Sequence, residues 1–219
     1  MVSKVLALTP AFSHIDHTLA EALRAKGIRS VALVGCSDLV KARSILLSQA
    51  LSSDAEAFLL VDADMVVTSQ HLDAILQSEK VTPTDAVTGA YLSKQGSLCA
   101  VPIGRDPIEI GGSPRFHPCF AAGLGFSVVH RQSLETARTK LIELSEVGRF
   151  PWWPFCLPKI VDAAFGIAGN RYLGEDYSFW HTLRQLAGVQ LWLDTHCAIG
   201  HLSLMPLGFN QGDMIDVNA

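Results

Sequence analysis

An α/β fold, with a mostly parallel central sheet flanked by helices and a smaller, mixed C-terminal half, is what this 219-residue sequence predicts. Three observations point there. About the first 90 residues alternate short apolar runs with segments of helical periodicity, the rhythm of right-handed βαβ units. Hydrophobic residues make up 49% of the chain and charged ones 17%, a balance that suits a buried core and excludes a disordered chain. No linker-like segment, repeat or low-complexity tract divides the chain, so residues 1–219 read as one domain.

The elements follow in order. Val2–Leu8 is an apolar run stopped by Thr9-Pro10 and reads as a buried strand. From Asp16 to Lys26 the residues Leu19, Ala20 and Leu23 recur at helical spacing, and Gly27 supplies the stop. Ser30–Val34 reads as a second buried strand. Asp38 then caps a helix running to about Ser52. Phe58–Val61 is the most apolar strand and ends on Asp62-Ala-Asp64. Thr68 or Ser69 opens a helix carrying Leu72, Ile75 and Leu76, and Ala86–Tyr91 is a fourth strand.

The second half is less regular. Leu98–Pro102 and Pro107–Ile110 read as short strands, with Gly111-Gly112-Ser-Pro114 as a turn between hairpin arms. Phe126–Val129 is a strand leading to a helix from about Ser133 to Val147. Arg149–Pro158 has no period. A last helix runs from near Asp176 to Ala187 and stops at Gly188, and Gln190–Leu193 is the final strand.

Charge and cysteine usage narrow the functional classes. Seventeen Lys and Arg against 21 Asp and Glu leave −4, so no global field recruits polyanions. The uncharged apolar stretches fall far short of the roughly 20 residues of a spanning helix. The N-terminus has no signal-peptide h-region or cleavage site. Five scattered cysteines with no Cys-x-x-Cys pair suit free thiols in a reducing cytosol, so a cytoplasmic location is expected.

Three motifs carry chemistry. Asp62 and Asp64 stand two residues apart at the end of a buried strand, facing the crevice where open α/β sheets bind ligands. Paired carboxylates there suit a hard divalent cation bridged to phosphate oxygens, although the same pair would also cap the next turn. Gly174-Glu175-Asp176 opens a helix after a long aperiodic segment. Its acids are either partners of the helix dipole or a general base. Such a position favours the charged form of a carboxylate, giving a base of ordinary strength. His201, beyond the final strand, is a surface imidazole or a third ligand for an ion already held by carboxylates.

Taken in order, strand-Asp62-x-Asp64, Val87-Thr-Gly-Ala-Tyr91-Leu-Ser-Lys94, Ala122-Gly123-Leu-Gly125-Phe, Gly174-Glu175-Asp176-Tyr-x-Phe, Gly188-x-x-x-Trp192-x-Asp194 and His201 resemble a small GT-A-fold glycosyltransferase, similar to glycosyltransferase family 2 and its relatives. The resemblance covers about Lys4 to Ser203. It implies a GT-A (Rossmann-like) fold, with about 1–95 as the nucleotide-binding half and about 96–219 as the acceptor-side half. It implies a UDP- or GDP-linked sugar donor held by Thr9, Pro10, Ala11, Asp38, Arg43, Asp62 and Lys94. It implies Mn²⁺ or Mg²⁺ on Asp62, Asp64 and His201. Asp176 would be the base of an inverting displacement, with Glu175 in reserve, and Gly123 and Gly125 would lie on the acceptor side. The Gln-x-x-Arg-Trp motif and membrane helices of processive synthases are absent from the sequence.

Phe150-Pro-Trp152-Trp153-Pro-Phe155 is the most unusual local composition. It reads either as a proline-stiffened loop packed on the core or as an aromatic acceptor platform built on Trp152 and Trp153. Basic residues nearby in sequence keep a nucleic-acid base among the acceptors, beside sugars, lipid-linked groups, proteins and small molecules. Two other classes compete. A sugar-1-phosphate nucleotidyltransferase would need a glycine-rich basic loop where Thr9-Pro-Ala-Phe-Ser-His14 stands. A non-catalytic binding module predicts loss of one or more of Asp62, Asp64, Asp176 and His201, and all four are present. A dinucleotide oxidoreductase lacks its Gly-x-Gly-x-x-Gly after the first strand.

Overall fold

Strand β1 (Val5–Ala11) is apolar enough to be buried along nearly its whole length. The computed structural model describes residues 4–78, 80–93, 96–104, 106–145, 150–164, 167–201 and 214–215, without the side chains of 164, 167, 168, 201, 214 and 215. After β1, Asp16 caps α1 (His17–Ala25) by accepting the Thr18 N–H at 2.8 Å, and Leu19, Ala22 and Leu23 turn inward. Next come β2 (Arg29–Val34) and α2 (Leu39–Ala50), the latter capped by Asp38, which accepts the Lys41 N–H at 3.0 Å. Strand β3 (Ala57–Val61) is wholly buried, β4 (Met65–Val66) is short, and α3 (Ser69–Leu76) starts from a capping box between Thr68 and His71. There follow β5 (Asp85–Ala90), β6 (Ala100–Pro102), β7 (Ile108–Glu109), β8 (Phe116–Ala122), β9 (Phe126–His130) and α4 (Arg131–Arg138). The chain continues through β10 (Lys159–Ala164), β11 (Ile167–Leu173), α5 (Glu175–Ala187), β12 (Gln190–Ala198), β13 (Gly200–His201) and β14 (Met214–Ile215).

Eight strands form one sheet in the order β2-β1-β3-β9-β5-β12-β8-β6. Six of them run one way, and β9 and β8 run against the rest. Alternation along the buried strands divides the core between the two faces. Leu6, Leu8, Phe58 and Leu60 pack toward α2 and α5, where Phe179, Trp180 and Leu183 meet them. Val5, Ala7, Leu59 and Val61 pack toward Leu19 and Leu23 of α1 and Leu72 and Ile75 of α3. Among the described residues no helix is long and apolar enough to cross a membrane.

Four expectations need correction. Strand β2 is exposed rather than buried, because it lies at the sheet edge with a neighbour on one side alone. The helix expected over 133–147 stops at Arg138. Beyond it Ile142 is 78% exposed and Leu144 forms a bridge with Trp152. Gly111–Pro114 does not join the two arms proposed for it, since β6 pairs with β8 and β7 with β14. The strand expected to be the last, over 190–193, extends to Ala198 as β12 and is followed by β13 and β14; this puts Asp194 inside β12, fully buried and held by the Arg115 guanidinium at 2.6 and 2.9 Å.

Candidate functional site

The topology gathers the site. Because β9 runs against both of its neighbours, the turn that precedes it arrives at the carboxyl ends of β3 and β5. The Asp62 N–H donates to the Gly125 carbonyl at 3.0 Å, which ties the end of β3 to that turn. A cleft of about 650 Å³ opens here. Pro10 and Ala11 of β1, Asp62 and Asp64 just beyond β3, Gly123 before β9, and Glu175 and Asp176 of α5 all line it.

Arg43 of α2 joins these parts. It is 7% exposed, and its Nη2 donates to both Asp62 oxygens at 2.8 Å while Nη1 donates to Glu175 Oε1 at 3.1 Å. Burial alone would lower its pKa. The charge and hydrogen bonds of Asp62, then the Glu175 charge, outweigh that and keep the guanidinium ionised. One buried cation thus clamps the residue that follows β3 to the first turn of α5.

Asp176 meets a different environment from its neighbour. Burial, and then the adjacent Glu175 charge, push its carboxyl above the usual range, against the opposing hydrogen bond from the Tyr177 N–H at 2.8 Å. Its position at a helix start therefore does not decide its acidity, and the expectation of a base of ordinary strength is corrected upward. Cys99, also on the cleft wall, is pushed up to about 12 by burial, with the charges of Asp176 and Asp62 adding to it, and stays a thiol.

Of the other residues singled out in the sequence, Thr9 is buried and does not line the cleft. Its hydroxyl is buried and has no hydrogen-bond partner among the described residues. Such an orphan costs about 1–3 kcal/mol. Thr9→Val should therefore raise the melting temperature, by about 2–4 °C for each kcal/mol recovered. A melting temperature unchanged or lowered would show that the hydroxyl is not orphaned.

Asp38 and Trp152 line a second cleft of about 590 Å³ on the outer side of α2, together with Phe150. Trp153 packs on the core, its backbone N–H donating to Ser48 Oγ at 2.9 Å and its ring centre lying 5.0 Å from the Arg138 guanidinium carbon. Phe155 and Cys156 are fully buried, and the Cys156 N–H donates to Ser44 Oγ at 3.2 Å. The aromatic loop thus packs along α2, and neither Trp152 nor Trp153 reaches the Asp62–Asp176 cleft. Gly125 lies behind the cleft wall, in the hydrogen bond to Asp62. Lys94 is outside the described residues, as is the side chain of His201. The backbone of His201 pairs with Met65, directly after Asp64.

The donor set can be tested against a divalent cation. Asp62 and Asp64 offer hard oxygen donors on the wall of an open cleft, a number that suits Mg²⁺ or Mn²⁺ when substrate phosphates and water complete the shell. Among the described residues no group of three His, Cys, Asp or Glu converges on an ion. The residues fit a cation shared with a phosphate ligand better than a closed protein cage.

Sequence reasoning missed Phe12, His14, Tyr91 and Cys99, all on the cleft wall. Tyr91 was within reach, because it follows a strand end just as Asp62 does.

No protein-family model matches this chain, and neither does any curated protein. Solved structures do. A197 from STIV matches with a TM-score of 0.59 at 18% identity, over 95% of this chain and 95% of that one. GalNAc-T7, crystallised with UDP, GalNAc and Mn²⁺, matches with a TM-score of 0.50 at 12% identity, over 91% of this chain and 44% of that one. At such identities the likeness is one of fold, and the fold it shows is the GT-A-like, Rossmann-like α/β architecture expected from the sequence.

Proposed function

We propose that this protein is an inverting glycosyltransferase that moves a sugar from a UDP- or GDP-linked donor to an acceptor nucleophile, using Mn²⁺ or Mg²⁺. The observation that carries this reading is the meeting of Asp62 and Asp64 with Asp176 in one cleft. GalNAc-T7, a structural neighbour, was crystallised with a nucleoside diphosphate, a sugar and a cation of these kinds, which supports the reading by analogy of fold.

Asp64 and Asp62 would hold the ion, with His201 as a further ligand. When bound, the ion supplies Lewis-acid neutralisation of the charge that grows on the departing diphosphate. Asp176 is the base. It accepts the acceptor's hydroxyl proton as that oxygen bonds to the anomeric carbon and the carbon–oxygen bond to the diphosphate breaks. Its raised pKa makes it the stronger proton acceptor, whereas Glu175 is engaged by Arg43. Arg43 itself is spent on Asp62 and Glu175, so it organises the donor site rather than reaching for phosphates.

The test is incubation with UDP- and GDP-sugars and Mn²⁺. Slow release of nucleoside diphosphate and free sugar is expected, abolished by EDTA and by Asp64→Ala. Undiminished turnover in metal-free buffer would sink the metal assignment. Chemistry that instead releases or consumes pyrophosphate would replace the transferase by a sugar-1-phosphate nucleotidyltransferase.

A further inference from the structure

The turn between β8 and β9 is gripped by one aromatic residue. Tyr91 follows β5 and is 5% exposed, and its phenol oxygen accepts the Gly125 N–H at 2.8 Å. Its backbone carbonyl accepts the Cys99 N–H at 2.9 Å, and the Cys99 carbonyl accepts the Gly123 N–H at 2.8 Å. Tyr91 therefore holds one end of the turn with its side chain and, through Cys99, the other end with its backbone. On the far side the Gly125 carbonyl accepts the Asp62 N–H. The seating is tight. A Cβ on residue 123 would stand 2.2 Å from the phenol oxygen, and one on residue 125 would stand 3.0 Å from it.

We propose that Tyr91 is a positioning residue, setting the place of Asp62 through the Gly123–Gly125 turn. The hydroxyl is the part that matters. A phenylalanine would fill the same space yet leave the buried Gly125 N–H without its acceptor. The functional half of this inference rests on the reading of Asp62 as a donor-side residue given above.

Tyr91→Phe tests it without relying on turnover. Amide hydrogen exchange at Gly125 and at Asp62 should speed up about tenfold or more as the turn loosens. Affinity for UDP with Mn²⁺ should fall about tenfold, the scale set by losing one buried hydrogen bond. Gly123→Ala should melt well below wild type. Adding Tyr91→Phe to it should restore part of the loss, because the phenol oxygen is the nearest obstruction and the ring carbon behind it stands at 3.1 Å. Faster exchange at Gly125 with unchanged exchange at Asp62 would make Tyr91 merely structural and overturn the proposal. If the wild-type protein binds neither UDP nor GDP with Mn²⁺, the donor reading of the cleft fails, and Asp62 exchange still decides the role of Tyr91.

Discussion

Replacing Asp176 by Asn is expected to slow sugar transfer about 10²–10⁴-fold, the usual cost of a lost general base, while raising the melting temperature at neutral pH. Both effects have one cause. The folded protein holds this carboxyl above its ordinary range, chiefly through burial and then through Glu175. A carboxyl raised in the folded state contributes stability below its unfolded pKa of about 3.9, and loses that contribution as pH rises through the folded value. At pH 7 the native state therefore carries a charge that it disfavours, and asparagine removes it. Melting curves should show the gain at pH 7 and its disappearance near pH 3. The same shift moves the acidic limb of the rate profile upward, above the usual carboxylate range. Unaltered transfer by the Asn variant, or retention of configuration in the product, would remove Asp176 as base.

Arg43→Met should produce the largest loss of stability. The substitution leaves Asp62 and Glu175 without the one cation that both pair with. Breaking a buried pair costs about 3–5 kcal/mol, and a value near 3 is expected because the two acids are each about a quarter exposed. Lysine should not restore it, since a single ammonium cannot reproduce a fork that serves Asp62 with one nitrogen and Glu175 with the other. Urea unfolding measures this directly. A second substitution, Glu175→Gln, should recover part of the loss by removing one orphaned charge. An Arg43→Lys protein as stable as wild type would show that a point charge suffices and that the fork geometry is immaterial.

The sequence disclosed those features whose signal is local. Asp16, Asp38 and Thr68 announced their helices because an N-cap is chosen by the few residues around it. Gly188 announced a stop because its φ of 70° is one that glycine adopts readily. Asp62, Asp64 and Asp176 were legible as well, since strand ends and helix starts are where α/β clefts form. Pairings across the chain were not. Phe116–Ala122 mixes His, Pro and Cys into a strand, and nothing nearby reveals that Ala100–Pro102 is its partner. The Lys159–Ala164 and Ile167–Leu173 hairpin hid behind a proline-rich approach. Glu175 looked like a spare base until Arg43, 132 residues away, turned out to hold it. Trp153 read equally well as core packing or as an acceptor platform, and only distant contacts decide it, since two serines on α2 tether the loop that carries it.

The interleaving of the sheet also dictates when the cleft can exist. Strand β3 takes its second neighbour from Phe126–His130, and β5 needs both that strand and Gln190–Ala198. Pairings between segments so far apart in the chain are slow to form, because the intervening loop must be closed before any contact rewards it. A growing chain that has not reached Phe126 therefore bears an unpaired apolar edge at Ala57–Val61, every residue of which is buried in the finished protein. Cutting the chain near residue 95 would release that sticky edge rather than a smaller nucleotide binder. Asp62 and Asp64 are made early in synthesis, yet they line no cleft until nearly the whole chain has been threaded into the sheet.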